Sequence, residues 1–220
     1  MSVKREKYGV REMSENKRIV FATGNANKVR EVREIMDGTG YDIVSLKDIG
    51  MVLDVEETGA TYLENARIKA RAVAENLPGE YAGCLVMSDD SGFEVDYLNR
   101  EPGIYSSRFM GEDTPYSIKN QAIIDKLEGV PMEQRSARFC CAVVCVFPDG
   151  HEADSFATYE GAVAYEAKGT NGFGYDPIFW VPQYGKTDGE LPPEVKNTIG
   201  HRGKALRMMR DILEGGKHEV

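Results

Sequence analysis

Two acidic segments carry the side chains with the clearest chemical potential. Asp89 and Asp90 follow an apolar run that ends at Met87, and Glu56 and Glu57 lie upstream. Mg²⁺ prefers oxygen ligands and commonly takes one or two carboxylates, while water and substrate phosphates complete its octahedron. A carboxylate at a strand end can also orient or deprotonate a water that attacks phosphorus. The pattern indicates a metal-assisted hydrolytic site; the alternative is a turn in which the aspartates cap backbone N–H groups.

A glycine-containing turn lies between a short apolar run at 19–22 and a predicted helix at 28–36. It reads Thr-Gly-Asn-Ala-Asn-Lys over residues 23–28. The N–H groups and the dipole of a helix start favour a bound phosphate, and Lys28 adds a positive charge. A Gly-Asn turn before a capped helix is also a common structural feature, so this segment alone leaves both interpretations open.

A glycine-rich aromatic loop and a basic cluster could together surround a nucleobase. Residues 172–177 read Gly-Phe-Gly-Tyr-Asp-Pro, and Lys196 is followed by His201 and Arg202. Glycines let the backbone approach a flat base while an aromatic ring stacks on it. Arginine can bind the O6 and N7 acceptors of a purine with two hydrogen bonds. A structural turn and a solvated basic helix start are the alternatives.

The elements that must position these residues alternate along the chain. Hydrophobic periodicity and turn residues predict strands at 19–22, 43–46 and 84–87, a half-exposed strand at 93–97, helices at 28–36, 61–76, 115–127 and 204–213, and a hairpin of 139–147 with 153–158. Residues 89–92 are expected to break the third strand. Strand–helix units followed by an antiparallel hairpin predict an α/β protein whose mixed sheet forms two lobes. The default ligand site is then the cleft between the lobes.

The composition argues against some kinds of binding partner and location. The 220 residues include 27 Lys and Arg against 36 Asp and Glu, a net charge of −9, which argues against a protein that binds a nucleic acid polymer. The longest apolar run, near 140–147, is far shorter than the roughly 18 residues of a membrane span. The four cysteines show no metal-binding spacing and favour free thiols in a reducing cytoplasm. Residues 1–16 are predicted to be a loose polar extension, 17–213 one two-lobed domain, and 214–220 a polar tail.

Six blocks occur in an order that resembles the Ham1/RdgB family of inosine triphosphate pyrophosphatases. They are residues 23–28, 57–59, 89–92, 102–109, 172–177 and 201–203, and the likeness extends over 19–213. The resemblance implies an elongated, two-lobed ITPase-like (Maf/Ham1) fold with a nucleotide cleft between the lobes. It also implies Mg²⁺-dependent hydrolysis of the purine nucleoside triphosphates ITP, dITP and XTP to monophosphate and pyrophosphate, by a cytoplasmic homodimer.

The resemblance further implies a role for each matching residue. Asp90 matches the general base and a metal ligand, and Glu57 matches the other metal carboxylate. The substrate-binding positions are Thr23, Gly24, Asn25 and Lys28 for the triphosphate, Ser91 as a further contact, and Phe173, Gly174, Tyr175, Asp176, Lys196, His201 and Arg202 for the base. Asp89 and Glu56 are the neighbouring alternatives for the two acids. Gly200 departs from the serine that is common in the family, and this puts in doubt a side-chain helix cap or hydroxyl contact at position 200.

Discrimination between purines should come from the base-binding end. Inosine and xanthine carry a keto acceptor at C6 where adenine carries an amino donor, so donors from Arg202 and His201 would reject ATP. Guanine shares the keto group, which suggests that a donor or an apolar wall faces C2. Two other functions are open: a pyrophosphatase of the Maf kind that acts on other modified or pyrimidine triphosphates, and a catalytically silent nucleotide-binding module. Glu57 and Asp90 together favour an enzyme, because two carboxylates near phosphates weaken simple binding.

Overall fold

The computed structural model describes residues 17–52 and 55–215, and the predicted extension 1–16 and most of the predicted tail lie outside the described residues. The strands are β1 Arg18–Phe21, β2 Asp42–Ser45, β3 Leu85–Val95, β4 Glu101–Gly103, β5 Ser136–Val146, β6 Glu152–Val163, β7 Phe179–Val181 and β8 Lys186–Thr187. The helices are α1 Ala26–Met36, α2 Tyr62–Ala74, α3 Tyr116–Lys126, α4 Pro193–Ile199 and α5 His201–Leu213.

All these strands belong to one mixed sheet. Its order is β2-β1-β3-β5-β6-β7-β8, with β4 paired to β3. β1 is parallel to β2 and β3, and the remaining pairs are antiparallel. The predicted α/β class with a mixed sheet is therefore confirmed.

Three apolar clusters hold the helices to the sheet. α1 and α5 cover one face, where Phe21 and Met87 are fully buried, and α2 covers the opposite face around Val20. Adjacent residues of β1 reach opposite faces because side chains alternate along a strand. The third cluster, around Phe93 and Phe179, lies at the far end of the long strands beside α3. These separate cores at the two ends of β3 and β5 are the physical basis of the two lobes.

The sequence prediction that residues 89–92 break a strand is wrong. β3 continues through them and pairs with β5 from Val86 opposite Val146 to Val95 opposite Ala137. Ladder hydrogen bonds to a long neighbour outweigh the low strand propensity of Asp, Ser and Gly. On its other edge β3 pairs with β1 only as far as Met87 and with β4 only from Phe93. Among the described strands, residues 88–92 are thus paired on one side only, and the open edge leaves room for a cavity.

Two smaller features differ from the pattern-based expectation. The sequence does not predict α4, because seven residues span too few turns to show a period. Gly200 lies between α4 and α5 as the N-cap of α5 and supplies no side-chain hydrogen bond. The doubt that the missing serine raised about a cap at this position is therefore justified. In the described part of the chain no helix has the length and apolar character needed to cross a membrane.

Candidate active site

A cavity of about 350 Å³ opens at the unpaired edge of β3. It is lined by every residue that the sequence singles out for catalysis, metal binding or substrate binding. These are Thr23, Gly24, Asn25, Lys28, Glu57, Asp90, Ser91, Phe173, Gly174, Tyr175, Asp176, Lys196, His201 and Arg202. Segments that lie far apart in the sequence therefore meet at one site.

The acidic end of the cavity is organised by a lysine. Lys69 of α2 donates to Glu57 at 2.6 Å and to Asp90 at 3.3 Å, and its side chain is only 9% exposed. Asn65, one turn earlier on α2, donates to the other oxygen of Asp90 at 3.3 Å. The two carboxylates are thus close enough to share one cation.

Burial and charge act differently on these two acids. Burial raises the pKa of Glu57, but Lys69, Arg108 and Lys28 together outweigh it, so the pKa is lower than usual. Burial also raises the pKa of Asp90, and there it exceeds the opposing effect of Lys69, so the pKa stays above its ordinary value. Asp90 is therefore the better proton acceptor of the pair near neutral pH.

The geometry separates each acid from its neighbouring alternative. Glu57 lines the cavity, whereas Glu56 is exposed and does not line it. Asp89 and Asp90 point to opposite faces of β3, because successive side chains alternate along a strand. Asp90 faces α2 and Lys69, and Asp89 faces α1 and α5, where it is 1% exposed.

Asp89 links the two ends of the cavity. It accepts a hydrogen bond from Lys28 at 3.0 Å, from the Ser91 hydroxyl at 2.9 Å and from Nε of Arg202 at 3.0 Å. Burial alone would raise the pKa of Asp89, but Lys28 and then Arg202 hold it well below its usual range. Arg202 also donates to Ser91 at 3.1 Å. Asp89 is accordingly a fixed anion that orients two cations rather than a free base.

The start of α1 forms the adjoining wall. Asn25 is the N-cap, and its side chain accepts from the backbone N–H groups of Asn27 at 2.9 Å and Lys28 at 3.3 Å. The N–H of Asn25 is bonded to the Thr23 hydroxyl at 3.2 Å. Gly24 between them has open space where a Cβ would project. This turn brings a helix N-terminus and the Lys28 ammonium to the cavity, an arrangement that suits phosphate oxygens.

The aromatic loop forms the opposite end. Phe173 lies half-buried with Lys196 Nζ 5.1 Å and the Arg202 guanidinium carbon 5.7 Å from its ring centre. Asp176 accepts from the Phe173 N–H at 2.7 Å and from Lys196, which fixes the loop. Gly172 has φ +74°, and a Cβ there would lie 2.0 Å from the Asp176 carboxylate, so glycine is required at this position.

Only one of the two aromatic rings of the loop is free to stack on a base. Tyr175 is buried, stacks on Phe93 with ring centres 5.0 Å apart and donates to the Ser106 carbonyl at 2.7 Å. Its ring is committed to the core, which leaves Phe173 as the ring that can stack on a base.

His201 presents an unused polar atom. Its ring stacks on Phe139 at 4.8 Å, and Nδ1 is buried without a hydrogen-bond partner in the structure. Burial, followed by the charges of Arg202 and Lys196, lowers the pKa of His201 well below its ordinary value. The imidazole is therefore neutral, with one N–H donor and one acceptor nitrogen. This unpartnered nitrogen is therefore available to hydrogen-bond a molecule that enters the cavity.

Three buried ionisable residues in or beside the site escape sequence reasoning. Glu31 of α1 accepts from Arg202 and, at 3.2 Å, from Lys196. Its spacing of three residues from Lys28 placed it on the same helix face, which was a usable signal. Lys69 and Asp188 had no such local signal, because each acts through partners that are distant in the sequence.

Comparisons with known proteins identify the family of this chain. The model of the Ham1 family matches residues 19–212. The chain belongs to the Ham1 family. A relative named dITP/XTP pyrophosphatase, from Desulforamulus reducens, is 43% identical over 196 residues, which are 89% of this chain and 95% of the relative.

Solved structures support the membership. The Ham1 protein of Staphylococcus aureus is 38% identical, with a TM-score of 0.78 over 91% of this chain and 100% of that one. A HAM1 protein from Coxiella burnetii is 36% identical, with a TM-score of 0.79 over 90% and 98%. The Ham1-family resemblance inferred from six short blocks is thereby confirmed over nearly the whole chain.

Proposed function

We propose that this Ham1-family chain hydrolyses the non-canonical purine nucleoside triphosphates ITP, dITP and XTP to nucleoside monophosphate and pyrophosphate. One observation carries the proposal: Glu57 and Asp90 share a cation at one end of a cavity whose other end contains Lys196, His201 and Arg202. Relatives named dITP/XTP pyrophosphatase support the same substrate class.

The acidic pair fits a divalent cation. Glu57 and Asp90 supply hard oxygen donors, and the Lys69 ammonium already lies between them as a stand-in cation. Across residues 17–52 and 55–215, no three His, Cys, Asp or Glu side chains form a ready metal cage. Mg²⁺ suits such a site, because it accepts one or two protein carboxylates and takes its other ligands from water and phosphate. When bound, it would neutralise phosphate charge and favour attack on phosphorus.

The protein's own part in the reaction is to position and to accept a proton. The start of α1, Lys28 and Lys69 attract the triphosphate to the acidic end despite the net negative charge of the chain. Asp90 accepts the proton of a water that attacks phosphorus in line with the bond to the oxygen bridging the α and β phosphates; that bond breaks, and nucleoside monophosphate and pyrophosphate separate. Phosphoryl transfer needs little more than such positioning and charge neutralisation.

The base is selected at the other end of the cavity. Phe173 stacks on the purine, and Arg202 and the neutral His201 donate to the C6 keto oxygen. ATP places an amino group there, so the buried donors would remain unpaired, a mismatch that can reach roughly 10⁴-fold. A hydrogen-bond donor or an apolar wall that faces C2 would leave the 2-amino group of guanine without an acceptor, and in this way separates guanine from xanthine and inosine.

The domain organisation and the oligomeric state belong to the same proposal. Residues 17–213 form one two-lobed pyrophosphatase domain. The enzyme acts as a homodimer, and light scattering of the purified protein can test this.

Cys84, Cys140, Cys141 and Cys145 are buried free thiols. They support a cytoplasmic location, where thiols stay reduced.

A nucleotide panel tests the function. Pyrophosphate release from ITP, dITP, XTP, ATP, GTP and pyrimidine triphosphates is measured with Mg²⁺ and with a chelator. We expect release with Mg²⁺ and a strong preference for the first three substrates. Preferred hydrolysis of pyrimidine triphosphates would indicate the Maf-like alternative. Nucleotide binding without pyrophosphate release would indicate the silent module.

A further inference from the structure

Asp188 is a buried carboxyl group that the proposed reaction does not use. It begins a short 3-10 turn after β8 and is 0% exposed. Oδ1 accepts from the Tyr159 hydroxyl at 3.2 Å, whereas Oδ2 is buried with no hydrogen-bond partner in the structure. Lys196 Nζ lies 3.7 Å from Oδ2, beyond good hydrogen-bond distance, and the carboxyl group of Asp176 is its other polar neighbour.

A count of charges shows that Asp188 has no counter-charge of its own in the network of ion pairs that it adjoins. The connected ion pairs, which are buried except at the partly exposed Lys28, comprise the cations Lys28, Lys196 and Arg202 and the carboxylates Glu31, Asp89 and Asp176. Three charges of each sign already balance before Asp188 is added. An ionised Asp188 would be an uncompensated buried anion, which is costly.

Two buried carboxyl groups in contact, with one lysine between them, cannot both ionise easily. Asp176 is the better placed to carry the charge, since it accepts from both Lys196 and the Phe173 N–H. Asp188 accepts only from Tyr159.

We propose that Asp188 is a positioning residue that shares a proton with Asp176, so that Lys196 stays on Asp176 and the base-binding loop keeps its shape while that proton is bound. The proton lies on Asp188 Oδ2 and is donated toward Asp176. This role rests on the proposed function, because it concerns the nucleobase end of that same cavity.

Loss of the proton would disturb the loop through Lys196. A second buried anion competes with Asp176 for the ammonium, which lies 5.1 Å from the centre of the Phe173 ring. Nucleotide binding should then weaken, while Glu57 and Asp90 at the other end of the cavity keep their geometry. The expected signature is a pH-dependent KM with little change in kcat.

Groups with opposing effects on its charge surround Asp188. The groups that act on it directly are Tyr159 of β6, Asp176 and Lys196 of α4. Behind them, Tyr184 and Lys204 act on Tyr159, and Glu31 and His201 act on Lys196. Glu190, at the end of the same turn, accepts from the Thr187 N–H. Burial first, and then the Asp176 carboxylate, raises the pKa of Asp188 to about 7, and Lys196 opposes this only in part. The proton is therefore lost within the range in which activity is measured.

The first test needs no substrate. Carboxyl ¹³C chemical shifts of the free protein, labelled at aspartate, are followed from about pH 5 to about pH 9, a range that brackets the raised pKa but lies above that of ordinary aspartates. Asp188→Asn identifies the Asp188 signal, and Asp154→Asn, which removes an exposed carboxylate of β6, serves as control. We expect Asp188 to titrate near pH 7. A signal that is already ionised at the lower limit would overturn the proposal.

The second test uses turnover. KM for ITP is measured against pH for the wild type and Asp188→Asn, and the ratio of the two values cancels the titration of the substrate itself. Asn mimics the protonated acid at every pH. The wild-type KM divided by the KM of Asp188→Asn should therefore be constant at low pH and rise by up to about tenfold per pH unit above the pKa of Asp188.

The outcomes of the two tests are distinguishable. A flat ratio across the range, or a change confined to kcat, would contradict the positioning role. If no triphosphate is hydrolysed by the wild type, the proposed function fails. The ¹³C titration still decides the protonation of Asp188 in that case, because it uses the free protein and needs no turnover. If Asp188→Asn folds poorly, Asp188→Glu, which moves the Asp188 resonance into the glutamate region, identifies the signal instead.

Discussion

The ammonium group of Lys69 lies 2.6 Å from Oε1 of Glu57, inside a cavity lined by both residues. The same ammonium reaches Asp90, so one lysine joins acids that approach from a loop and from the middle of β3. This contact shows that the two acidic segments of the sequence converge on one point. It also shows that the site holds a positive charge between them before any substrate binds.

Asp90→Asn should abolish turnover and leave nucleotide binding measurable. The amide keeps the shape of the side chain but cannot accept the proton of the attacking water, a loss of about 10²–10⁴-fold for a general base. Pyrophosphate release and calorimetric titration with ITP measure the two properties, with Asp154→Asn as control. Turnover at the wild-type rate would mean that another group accepts the proton.

Lys69→Met should destabilise the metal-free protein by about 3–5 kcal/mol, because two partly buried carboxylates lose the charge between them. Mg²⁺ should stabilise this variant more than the wild type, since it replaces the missing cation. Urea unfolding with Mg²⁺ and with a chelator provides the measurement, and Lys47→Met, at an exposed position, is the matched control. Equal stabilisation of both proteins by Mg²⁺ would argue against a cation site at Glu57 and Asp90.

Glu31→Gln should weaken base selection without affecting the acidic end. Glu31 holds both Arg202 and Lys196, so a neutral amide leaves these two cations less firmly oriented. We expect the ratio of kcat/KM for ITP over ATP to fall by about tenfold, the effect of about 1.4 kcal/mol. Glu34→Gln, an exposed change one turn later on α1, should leave that ratio unchanged. A similar fall in both variants would indicate a general disturbance of α1.

Arg202→Ala and His201→Ala should each reduce the preference for keto purines. The larger effect is expected for Arg202, which is charged and also orders Ser91 and Asp89. kcat/KM for ITP, XTP, GTP and ATP gives the preference ratios. If both variants retain the wild-type ratios, the base is read elsewhere.

Asp89→Asn should cost stability at neutral pH, and this cost should shrink in acid. The pKa of Asp89 is lower in the folded protein than its unfolded value of 3.8. The carboxylate therefore stabilises the fold above pH 3.8, and this stabilisation is lost as the pH falls toward and through the pKa of the folded state. The loss at neutral pH is expected to be about 3–5 kcal/mol, because Lys28 and Arg202 are left without their anion. Unfolding of both proteins at neutral pH and near pH 3 measures the difference. A difference that does not depend on pH would contradict the ion-pair account.

The sequence alone determined the features of this protein that local patterns encode. Apolar periodicity located β1, α1 and α5, and turn residues located the hairpin between β5 and β6, because such signals need only neighbouring residues. The six short blocks identified the family and named side chains that line one cavity. The α/β class followed from the order of these elements.

The tertiary structure alone decided how the acids are used. Pairing with β5 carries β3 through Asp89 and Asp90 and sends them to opposite faces, which local propensity did not indicate. The partners Lys69 and Asp188 became visible only once α2 and the turn after β8 were packed against the cavity. Their roles depend on burial and on charges from distant segments, and these are properties of the folded chain that no stretch of sequence carries by itself.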